Sequence, residues 1–511
     1  MHCAQIDKSE NVDEKLLRQT QTVDKIETDN EKTNIPRKGL TERLKLLRSN
    51  ITVEPIMAGL VIPAAMAKLA IQNLNLAKAC LVKLNYGPEI CNPLIDKHGS
   101  NLTEYEREVQ KVISSIETWR SIIHTALPTL VVMFMGAWSD RTGNRKICML
   151  LPIFGDLLMT VSNIVCTILF YEIPVEVTMF LEVLFPAITG GWVTVFIGIF
   201  SYISDITTPE TRTFRIGLVN LCLTIGILIG TSLSGILLKC FGYVGTFLIS
   251  GCLFLLTMIY GYICLKNNTK PAKMEIKKFK FSELLSLQKD TISVITKKRQ
   301  GDLRLMITLN LLVVAIIFGP SHAELLVTYL FVRYRLNWDA VRYSMYSTYS
   351  HILHALAAFL SISILSKRWG LDDSVLCLVS LTSKLVGVVY INFVRTDFQM
   401  YLVPIVQFLN ATTFTSLRSM SSKLVPSEEL GKMNSLFSLV ETLAALVFDP
   451  VYATIYAQTM KQFSSAVYVF SAGMAVPAIV MLIWFIIRKR QEIKHRAVEL
   501  ENLPKESNLP T

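Results

Sequence analysis

Long apolar runs constrain this chain more than any other feature of its sequence. A helix needs about 20 consecutive, mainly apolar residues to cross the roughly 30 Å hydrocarbon core of a bilayer, and runs of that length occur at 305–331 and 466–487. Of the 511 residues, 51% are hydrophobic and only 18% are charged, whereas soluble proteins carry about 25% charged residues. These features exclude a soluble enzyme, a disordered protein and a secreted disulfide scaffold. They predict an all-α membrane protein with many spans.

Twelve segments are predicted to cross the membrane. They lie at residues 52–76, 118–138, 147–170, 176–203, 214–238, 243–265, 305–331, 341–364, 373–394, 399–422, 433–456 and 464–487. An even number of spans puts both termini on one side, and the loops and tails on that side carry more than twice as many Lys and Arg residues as the loops on the other. The positive-inside rule therefore predicts that both termini are cytosolic. The net charge of +11 reflects this topology, and we expect no binding of nucleic acid.

The spans divide into two halves of six. We predict a disordered cytosolic N-terminal tail (1–50), an N-terminal six-helix bundle (51–265), a basic cytosolic loop (266–304), a C-terminal six-helix bundle (305–487) and a cytosolic C-terminal tail (488–511). One group of secondary transporters uses two six-helix halves to build a midplane binding site that opens to alternate sides. This organisation favours a transporter that works by alternating access.

The first outer loop, residues 77–117, carries the sequence signs of an extracytosolic face. Cys80 and Cys91 lie within it, and a disulfide between them suits an oxidising compartment. Asn101-Leu102-Thr103 is a glycosylation sequon in the same loop. We therefore predict that this face is covalently modified.

The strongest local motif follows the second span. Five residues match the G-x-x-x-D-R-x-G-x-[RK] signature of major facilitator transporters, namely Gly136, Asp140, Arg141, Gly143 and Arg145, and Lys146 follows directly and completes the predicted gating motif. Gly136 permits close approach of helices, and Gly143 permits a tight turn. The charged residues can pair in one gating state and separate in the other. The corresponding loop of the second half, 366–373, is a degenerate copy with its charges reversed.

A row of glycines runs along the fifth span, at Gly217, Gly226, Gly230 and Gly235. Their spacing resembles the glycine motif of proton antiporters, although Thr231 occupies the position of the motif's proline. Small residues at such spacing also allow two helices to pack closely. The sequence leaves both interpretations open.

Ionisable residues within spans are costly and by default mark transport pathways. They are Lys68, His124, Asp156, Glu182, His322, Glu324, His351, His354, Lys384, Arg418, Glu441 and Asp449. Glu441 lies nine residues after Lys432, about 13 Å along a helix, so it is too deep to reach the inner surface. We predict that Glu441 carries a proton. For Arg418, which lies nearer the cytosol, anion binding and extension toward the inner surface both stay open.

The eighth span presents an aromatic and hydroxyl pattern. Tyrosines and serines recur every three residues through 343–350, so Tyr346 and Tyr349 could form a wall that stacks a planar ring and bonds its edge. His351 and His354 share a helix face and could titrate between about pH 5 and 8. Metal binding needs more ligands than this pair, so no metal site is predicted.

The seventh span contains Gly319-Pro320 just before His322 and Glu324. We expect this dipeptide to break the helix and free backbone groups, as happens at the binding sites of transporters.

Taken together, these motifs make the chain similar to the proton-coupled folate transporter family, solute carrier family 46. The similarity rests on Ile51-Thr52-Val53-Glu54-Pro55, Ser204-Asp205, Arg212-Thr213-Phe214-Arg215 and Arg418 through Val425, followed by Glu429 and Gly431. The resemblance covers essentially the whole of residues 51–487 and looks most like the invertebrate branch. It implies a major facilitator fold and proton-driven uptake of organic anions such as folates, muropeptides or steroid conjugates, with protons as the coupling ion and no other cofactor. Arg418 matches the family's functional arginine.

The chain departs from the folate carrier at two positions tied to proton coupling. Asn220 stands where that carrier has a glutamate in span five, and Ile317 stands where it has a histidine in span seven, with His322 about one turn further on. We therefore hypothesise that Glu441 has taken over the proton role, because span eleven is the pseudo-repeat partner of span five.

The sequence thus predicts a proton-coupled importer of a small organic anion or amphipathic metabolite in the plasma or endolysosomal membrane. Two alternatives are a proton-driven exporter, which only the span-five glycines favour, and a non-transporting receptor or scaffold. An enzyme is not expected, because no nucleophile with a plausible base and no cluster of metal ligands is evident.

Overall fold

The computed structural model describes residues 52–96, 103–207, 209–265, 302–426 and 429–501, together with residues 297 and 299. In the first half, the described residues form seven α-helices. These are α1 (Glu54–Lys78), α2 (Pro88–Asp96), α3 (Thr103–Thr142), α4 (Arg145–Ile168), α5 (Val175–Ile188), α6 (Gly191–Ile206) and α7 (Pro209–Cys264). Helix α1 continues directly into a π-helical turn, Ala79–Lys83.

Seven more α-helices make up the described part of the second half. These are α8 (Leu303–Leu336), α9 (Ala340–Leu360), α10 (Asp373–Ile391), α11 (Asp397–Val406), α12 (Thr413–Lys423), α13 (Leu430–Phe463) and α14 (Ala466–Glu501). A π-helical segment, Ser361–Arg368, follows α9, and a 3₁₀ segment, Phe408–Thr412, joins α11 to α12.

The all-α membrane fold with twelve spans is confirmed. Nine helical segments of the described chain are long and apolar enough to cross a bilayer. One of them, Arg215–Cys264, contains both the fifth and the sixth predicted span, which meet at Gly242 in a left-handed conformation with φ of 63°. The second predicted span lies in α3, and the tenth lies in α11 and α12 with the 3₁₀ segment between them.

Several helix boundaries differ from the sequence expectation. The predicted outer loop 77–117 is largely helical, because it contains α2 and the first turns of α3. The fourth span is split between α5 and α6 at Gly190 and Gly191, whose φ angles of 88° and 56° are accessible to glycine but strained for other residues. Helix α14 runs 14 residues beyond the predicted end of the last span.

The expected helix break at Gly319-Pro320 is wrong, because α8 is continuous from Leu303 to Leu336. Membrane helices tolerate proline where neighbouring groups satisfy the freed carbonyl. Gly319 instead makes room for α13, since a Cβ atom there would lie only 2.2 Å from Cδ2 of Phe448.

Each half buries its own apolar core. In the first half, apolar faces of α1, α4, α6 and α7 meet around Ile56, Met149 and Ile199. In the second half, one cluster around Ile307 and Phe437 lies toward the starts of α8 and α13, and another around Phe331 and Trp338 lies at the opposite end of these helices. A further cluster joins the halves, because Tyr329 of α8 packs among residues of α1, α2 and α3.

The ranges 1–50 and 266–296 and the sequon at Asn101 lie outside the described residues.

Candidate substrate pathway and gates

A buried ion pair joins the two halves at one end of the bundle. We name the ends by the predicted topology: the outer end carries Cys80 and Cys91, and the inner end carries the start of α1 and the end of α14. Near the outer end, Nε of Arg333 in α8 lies 2.9 Å from Oε1 of Glu106 in α3. Arg333 is 0% exposed and Glu106 is 2% exposed. A buried ion pair is stable only when further hydrogen bonds offset the free-energy cost of removing both charges from water.

Arg333 is satisfied by several further groups of the first half. It donates to the carbonyl of Leu94 in α2 at 2.6 Å, to the carbonyl of Ile95 at 3.3 Å and to Oδ1 of Asn73 in α1 at 3.3 Å. A disulfide joins Cys80 to Cys91 at a Cα–Cα distance of 5.8 Å, so it ties α2 to the end of α1. The disulfide-bonded loop is therefore part of the contact between the halves.

Three more hydrogen-bonded contacts extend this seam. The hydroxyl of Tyr329 donates to Oδ1 of Asn73 at 3.0 Å, and that of Tyr456 donates to Oε1 of Gln110 at 2.8 Å. The hydroxyl groups of Ser232 in α7 and Thr348 in α9 lie 3.2 Å apart. These contacts between the halves all lie in the outer half of the bundle. We call this seam the outer gate, and it is closed.

Charged pairs at the inner end lie within each half instead. In the first half, Nε of Arg145 at the start of α4 lies 3.2 Å from Oδ2 of Asp205 at the end of α6. In the second half, Nζ of Lys423 at the end of α12 lies 2.6 Å from Oδ2 of Asp373 at the start of α10. These are equivalent places in the two pseudo-repeats, and the acid and base have exchanged positions between them.

A second pair adjoins this one. Nζ of Lys489 lies 2.7 Å from Oδ2 of Asp372. Desolvation alone would raise the pKa of Asp372, but the hydrogen bond and charge of Lys489, together with hydrogen bonds from Ser374 and the backbone of Asp373, outweigh it and hold the pKa below its usual value.

The remaining residues of the gating motif lie around the inner end of α3. Gly143 adopts φ of 67° at the turn between α3 and α4. Lys146 donates to the carbonyl of Tyr262 and lies 4.4 Å above the centroid of its ring. Gly136, Asp140 and Arg141 are in α3, but their side chains lie outside the described residues.

The two foremost transport candidates contact each other. Nη2 of Arg418 in α12 donates to Oε2 of Glu441 in α13 across 2.8 Å. The guanidinium carbon of Arg418 also lies 4.7 Å from the centroid of the Phe437 ring, a favourable cation–π geometry. The Arg418 side chain is 49% exposed and that of Glu441 is 17% exposed. A half-exposed guanidinium is held in place and still accessible to a ligand.

A second layer of polar groups lies further along α13. Nδ1 of His322 in α8 lies 3.0 Å from Oδ1 of Asp449 in α13. Asp449 follows Glu441 by eight residues, or about 12 Å of helix. His124 of α3 is exposed and lies within electrostatic range of His322. This layer therefore contains residues from both halves.

Lys384 and Glu324 form a pair with a different character. Nζ of Lys384 in α10 lies 3.7 Å from Oε2 of Glu324 in α8 and also donates to the hydroxyl of Ser321. Lys384 is 4% exposed. This buried pair links α8 to α10 within the second half and is not placed to contact a ligand from open solvent.

The predicted aromatic wall is only partly accessible. Tyr346 is 7% exposed and packs against Trp338 and Tyr401, with ring centroids 5.4 and 5.8 Å away. Tyr349 is half-buried and lies 5.7 Å from the Tyr401 ring. The aromatic residues of α9 thus pack against Tyr401 and stabilise α11.

The histidines of α9 lie on its more accessible side. His351 is half-buried, and its Nδ1 bonds to the carbonyl of Ser347 at 2.6 Å, while His354 is exposed. Asn220 of α7 is also exposed. These three remain candidates for contact with substrate or protons.

Three of the four span-five glycines, Gly226, Gly230 and Gly235, serve helix packing. A Cβ atom on Gly226 would lie 3.3 Å from Val61 of α1, and one on Gly230 would lie 2.5 Å from Cβ of Ala65. On Gly235 it would lie 2.8 Å from the carbonyl oxygen of Ala340 in α9. This supports the packing interpretation of the motif.

Sequence reasoning missed the outer gate. Glu106, Arg333 and Asn73 were not among the candidates, because the two charged residues belong to predicted loops and Asn73 is uncharged. The one available signal was the arginine at position 333 close to the end of an apolar run.

Comparisons with known proteins agree with this architecture. The Major Facilitator Superfamily model matches residues 112–448. The chain is 22% identical over 439 residues to the probable peptidoglycan muropeptide transporter SLC46 of Drosophila melanogaster, which covers 84% of each chain. It is 27% identical over 392 residues to the lysosomal proton-coupled steroid conjugate and bile acid symporter SLC46A3 of Mus musculus, which covers 74% of this chain and 82% of that one.

The crystal structure of the nucleoside transporter NupG has the same fold, with a TM-score of 0.56 and 12% identity over 84% of this chain and 99% of that chain. The resemblance to solute carrier family 46 is confirmed by the relatives, which are transporters and not enzymes. This multi-pass membrane protein belongs to the Major Facilitator Superfamily, and its relatives are members of solute carrier family 46.

Proposed function

We propose that this protein imports a small organic anion together with protons, from an acidic outer side to a neutral cytosol. The observation that carries the proposal is the pair of Arg418 and Glu441, which lie 2.8 Å apart with the Arg418 side chain half-exposed. An anionic cargo and the Glu441 carboxylate are alternative partners for the same guanidinium. Binding of the anion is therefore favoured when Glu441 is protonated.

This competition gives a coupled cycle. At the acidic side Glu441 takes up a proton and releases Arg418, which binds the anion. After the halves switch, Glu441 loses its proton to the neutral cytosol and pairs with Arg418 again, which displaces the anion. Cargo and proton then move in the same direction. The paired geometry in a structure closed at the outer gate corresponds to the state after release.

The cargo class follows from the site and from the relatives. An exposed guanidinium above the Phe437 ring suits a carboxylate or sulfate next to an apolar body. The relatives carry muropeptides in one case and steroid conjugates and bile acids in another, according to their names. We propose an amphipathic organic anion, with both termini of the chain in the cytosol and the protein in the plasma or endolysosomal membrane.

Uptake measurements test this function. Cells expressing the protein at the surface are given labelled folate, methotrexate, a muropeptide and a steroid sulfate at an outside pH of about 5.5 and about 7.4, a range over which a buried carboxyl can titrate. We expect acid-stimulated uptake of at least one anion and its loss in Arg418→Ala. Arg395→Ala, which removes an exposed arginine at the outer end, serves as the matched control. Absence of flux for every anion from verified surface protein would contradict the proposal.

A further inference from the structure

A lysine in the middle of α1 is not used by the mechanism described so far. Lys68 follows Glu54 by 14 residues, about 21 Å along the helix, and its side chain is exposed. Among the described residues it makes no hydrogen bond and no ion pair. An ammonium group at this depth is costly when it faces lipid. The role of Lys68 therefore depends on whether its side chain faces lipid or the interior of the protein.

Helix α7 shows where Lys68 points, because it contacts both α1 and α9. Gly230 of α7 lies against Ala65 of α1, and Ser232 of α7 lies 3.2 Å from Thr348 of α9. Lys68 is three residues outward of Ala65, which is about 4.5 Å along α1. His351 is three residues inward of Thr348, which is about 4.5 Å along α9. Lys68 lies within electrostatic range of His351. It therefore faces the other half of the protein across the pathway, not lipid.

His351 lies in the same layer as His322. The rings of Tyr329 in α8 and Tyr343 in α9 lie 4.8 Å apart, and His322 and His351 lie seven and eight residues further inward on these antiparallel helices. His124 of α3 is within electrostatic range of His322. Lys68, His124, His322 and His351 therefore form a basic layer contributed by four helices of both halves.

Few acids balance this layer. Asp449 pairs with His322 at 3.0 Å and is 1% exposed. Glu324 pairs with Lys384, and Glu182 lies 3.7 Å from Arg120. Lys68 is left without an acidic partner among the described residues. The layer is about 12 Å from Arg418, as measured along α13 between Glu441 and Asp449.

We propose that Lys68 forms a second anion-binding subsite, so that the cargo is an elongated amphipathic dianion with one anionic group at Arg418 and the other at the basic layer. The inference rests on the proposed function and specifies its substrate class. Between the two subsites the pathway passes Phe318, whose ring stacks on that of His322 at 5.9 Å, and this surface suits an apolar body.

A matched pair of anions tests the subsite. Uptake of a steroid 3,17-disulfate and of its 3-monosulfate is measured in cells expressing the wild type, Lys68→Gln, Lys68→Arg and Lys111→Gln. Lys111 is an exposed residue of the outer end of α3, so its substitution controls for the loss of one positive charge. We expect the wild type to have a KM for the disulfate roughly tenfold below that for the monosulfate, as one charge-assisted contact provides.

Lys68→Gln should raise the KM for the disulfate about tenfold and leave that for the monosulfate within about twofold, with kcat little changed. Lys68→Arg should restore the disulfate KM, and Lys111→Gln should behave as the wild type. Equal KM values for the two sulfates in the wild type, or equal effects of Lys68→Gln on both, would overturn the subsite. Acid-stimulated uptake of the monosulfate would still support the proposed function in that case. Transport of neither sulfate would overturn the inference, and the anion panel described above decides the proposed function separately.

Discussion

Nη2 of Arg418 lies 2.8 Å from Oε2 of Glu441, and this contact unites two roles that the sequence assigned separately. Arg418 was a candidate for anion binding and Glu441 a candidate for proton transfer. Under the proposed function, this pairing couples the two roles. An anion that binds Arg418 competes with Glu441 for the guanidinium, and a proton on Glu441 weakens its hold on Arg418.

Glu441→Gln should uncouple transport from pH. The amide keeps the shape of the side chain but cannot ionise, so Arg418 stays available to the anion at every pH. We expect the ratio of uptake at acidic to neutral outside pH to fall to about one, and the KM for the anion at neutral pH to fall several-fold, since a competing charged partner contributes on the order of 1 kcal/mol or more. Concentration-dependent uptake at both pH values measures both effects.

Glu89→Gln is the matched control for this substitution, because Glu89 is an exposed carboxylate at the start of α2. It should keep the pH dependence of the wild type. If Glu441→Gln retained full acid stimulation at normal surface expression, Glu441 would have no part in coupling, and the His322–Asp449 pair would become the next group to test.

Glu106→Gln should weaken the outer gate. The change leaves Arg333 charged, buried and without its counter-ion, which typically costs about 3–5 kcal/mol. The outer gate should then open more often. A Ser232→Cys substitution reports this opening, because Ser232 lies in the closed seam against Thr348 and should be alkylated faster by an impermeant maleimide when Glu106 is neutral.

The double variant Glu106→Gln with Arg333→Met separates loss of charge pairing from loss of packing. Replacing both members of a buried pair with neutral residues is often far less costly than replacing one, so the double variant should be more protected than Glu106→Gln alone. Identical alkylation rates in the wild type and in Glu106→Gln would show that the pair does not hold the gate closed.

The disulfide should support the same gate. It ties the end of α1 to α2, whose Leu94 and Ile95 carbonyls accept hydrogen bonds from Arg333. Cys80→Ser with Cys91→Ser should lower the free energy of unfolding by about 2–4 kcal/mol and raise alkylation at Ser232→Cys. Thermal unfolding in detergent measures the first effect. A double variant with wild-type stability and gate protection would limit the disulfide to a role in biosynthesis.

The sequence predicted the helices well because membrane spans depend on local composition. Runs such as 305–331 must be helical in lipid, since every backbone polar group needs an internal partner there. It also predicted which inner-end loops correspond, and the reversed charges of 366–373 appear in the structure as the Lys423–Asp373 pair opposite Arg145–Asp205.

The outer gate could not be predicted in the same way. Arg333 and Glu106 are 227 residues apart in the chain, and their contact depends on how the two halves pack in one state of the cycle. Likewise, the burial of Tyr346 depends on Tyr401 of another span. A single sequence shows which residues are present, but it does not show which residues from distant parts of the chain contact each other.

The glycines of α7 provide the last prediction, because three similar substitutions should have three different results. A Cβ atom on Gly217 would meet no other atom within 4 Å, so Gly217→Ala should be neutral or stabilise the helix by about 1 kcal/mol. At Gly230 the new methyl group would meet Ala65 and the carbonyl of Ile62 at 2.5 and 2.7 Å. Both lie in α1 of the same half, so Gly230→Ala should reduce folding and surface expression.

Gly235→Ala should act on the conformational cycle instead. Its methyl group would meet the carbonyl oxygen of Ala340 at 2.8 Å and Cα of Val341 at 2.9 Å, and both atoms belong to the other half. The backbone of α9 cannot yield as a flexible side chain can, so the collision occurs only when the outer gate closes. We expect normal surface expression and faster alkylation at Ser232→Cys. The kcat for uptake should fall at least several-fold, because destabilising one state of the cycle by roughly 1 kcal/mol has an effect of that size. Loss of expression equal to that of Gly230→Ala would instead show that Gly235 is needed for folding, whatever the state of the gate.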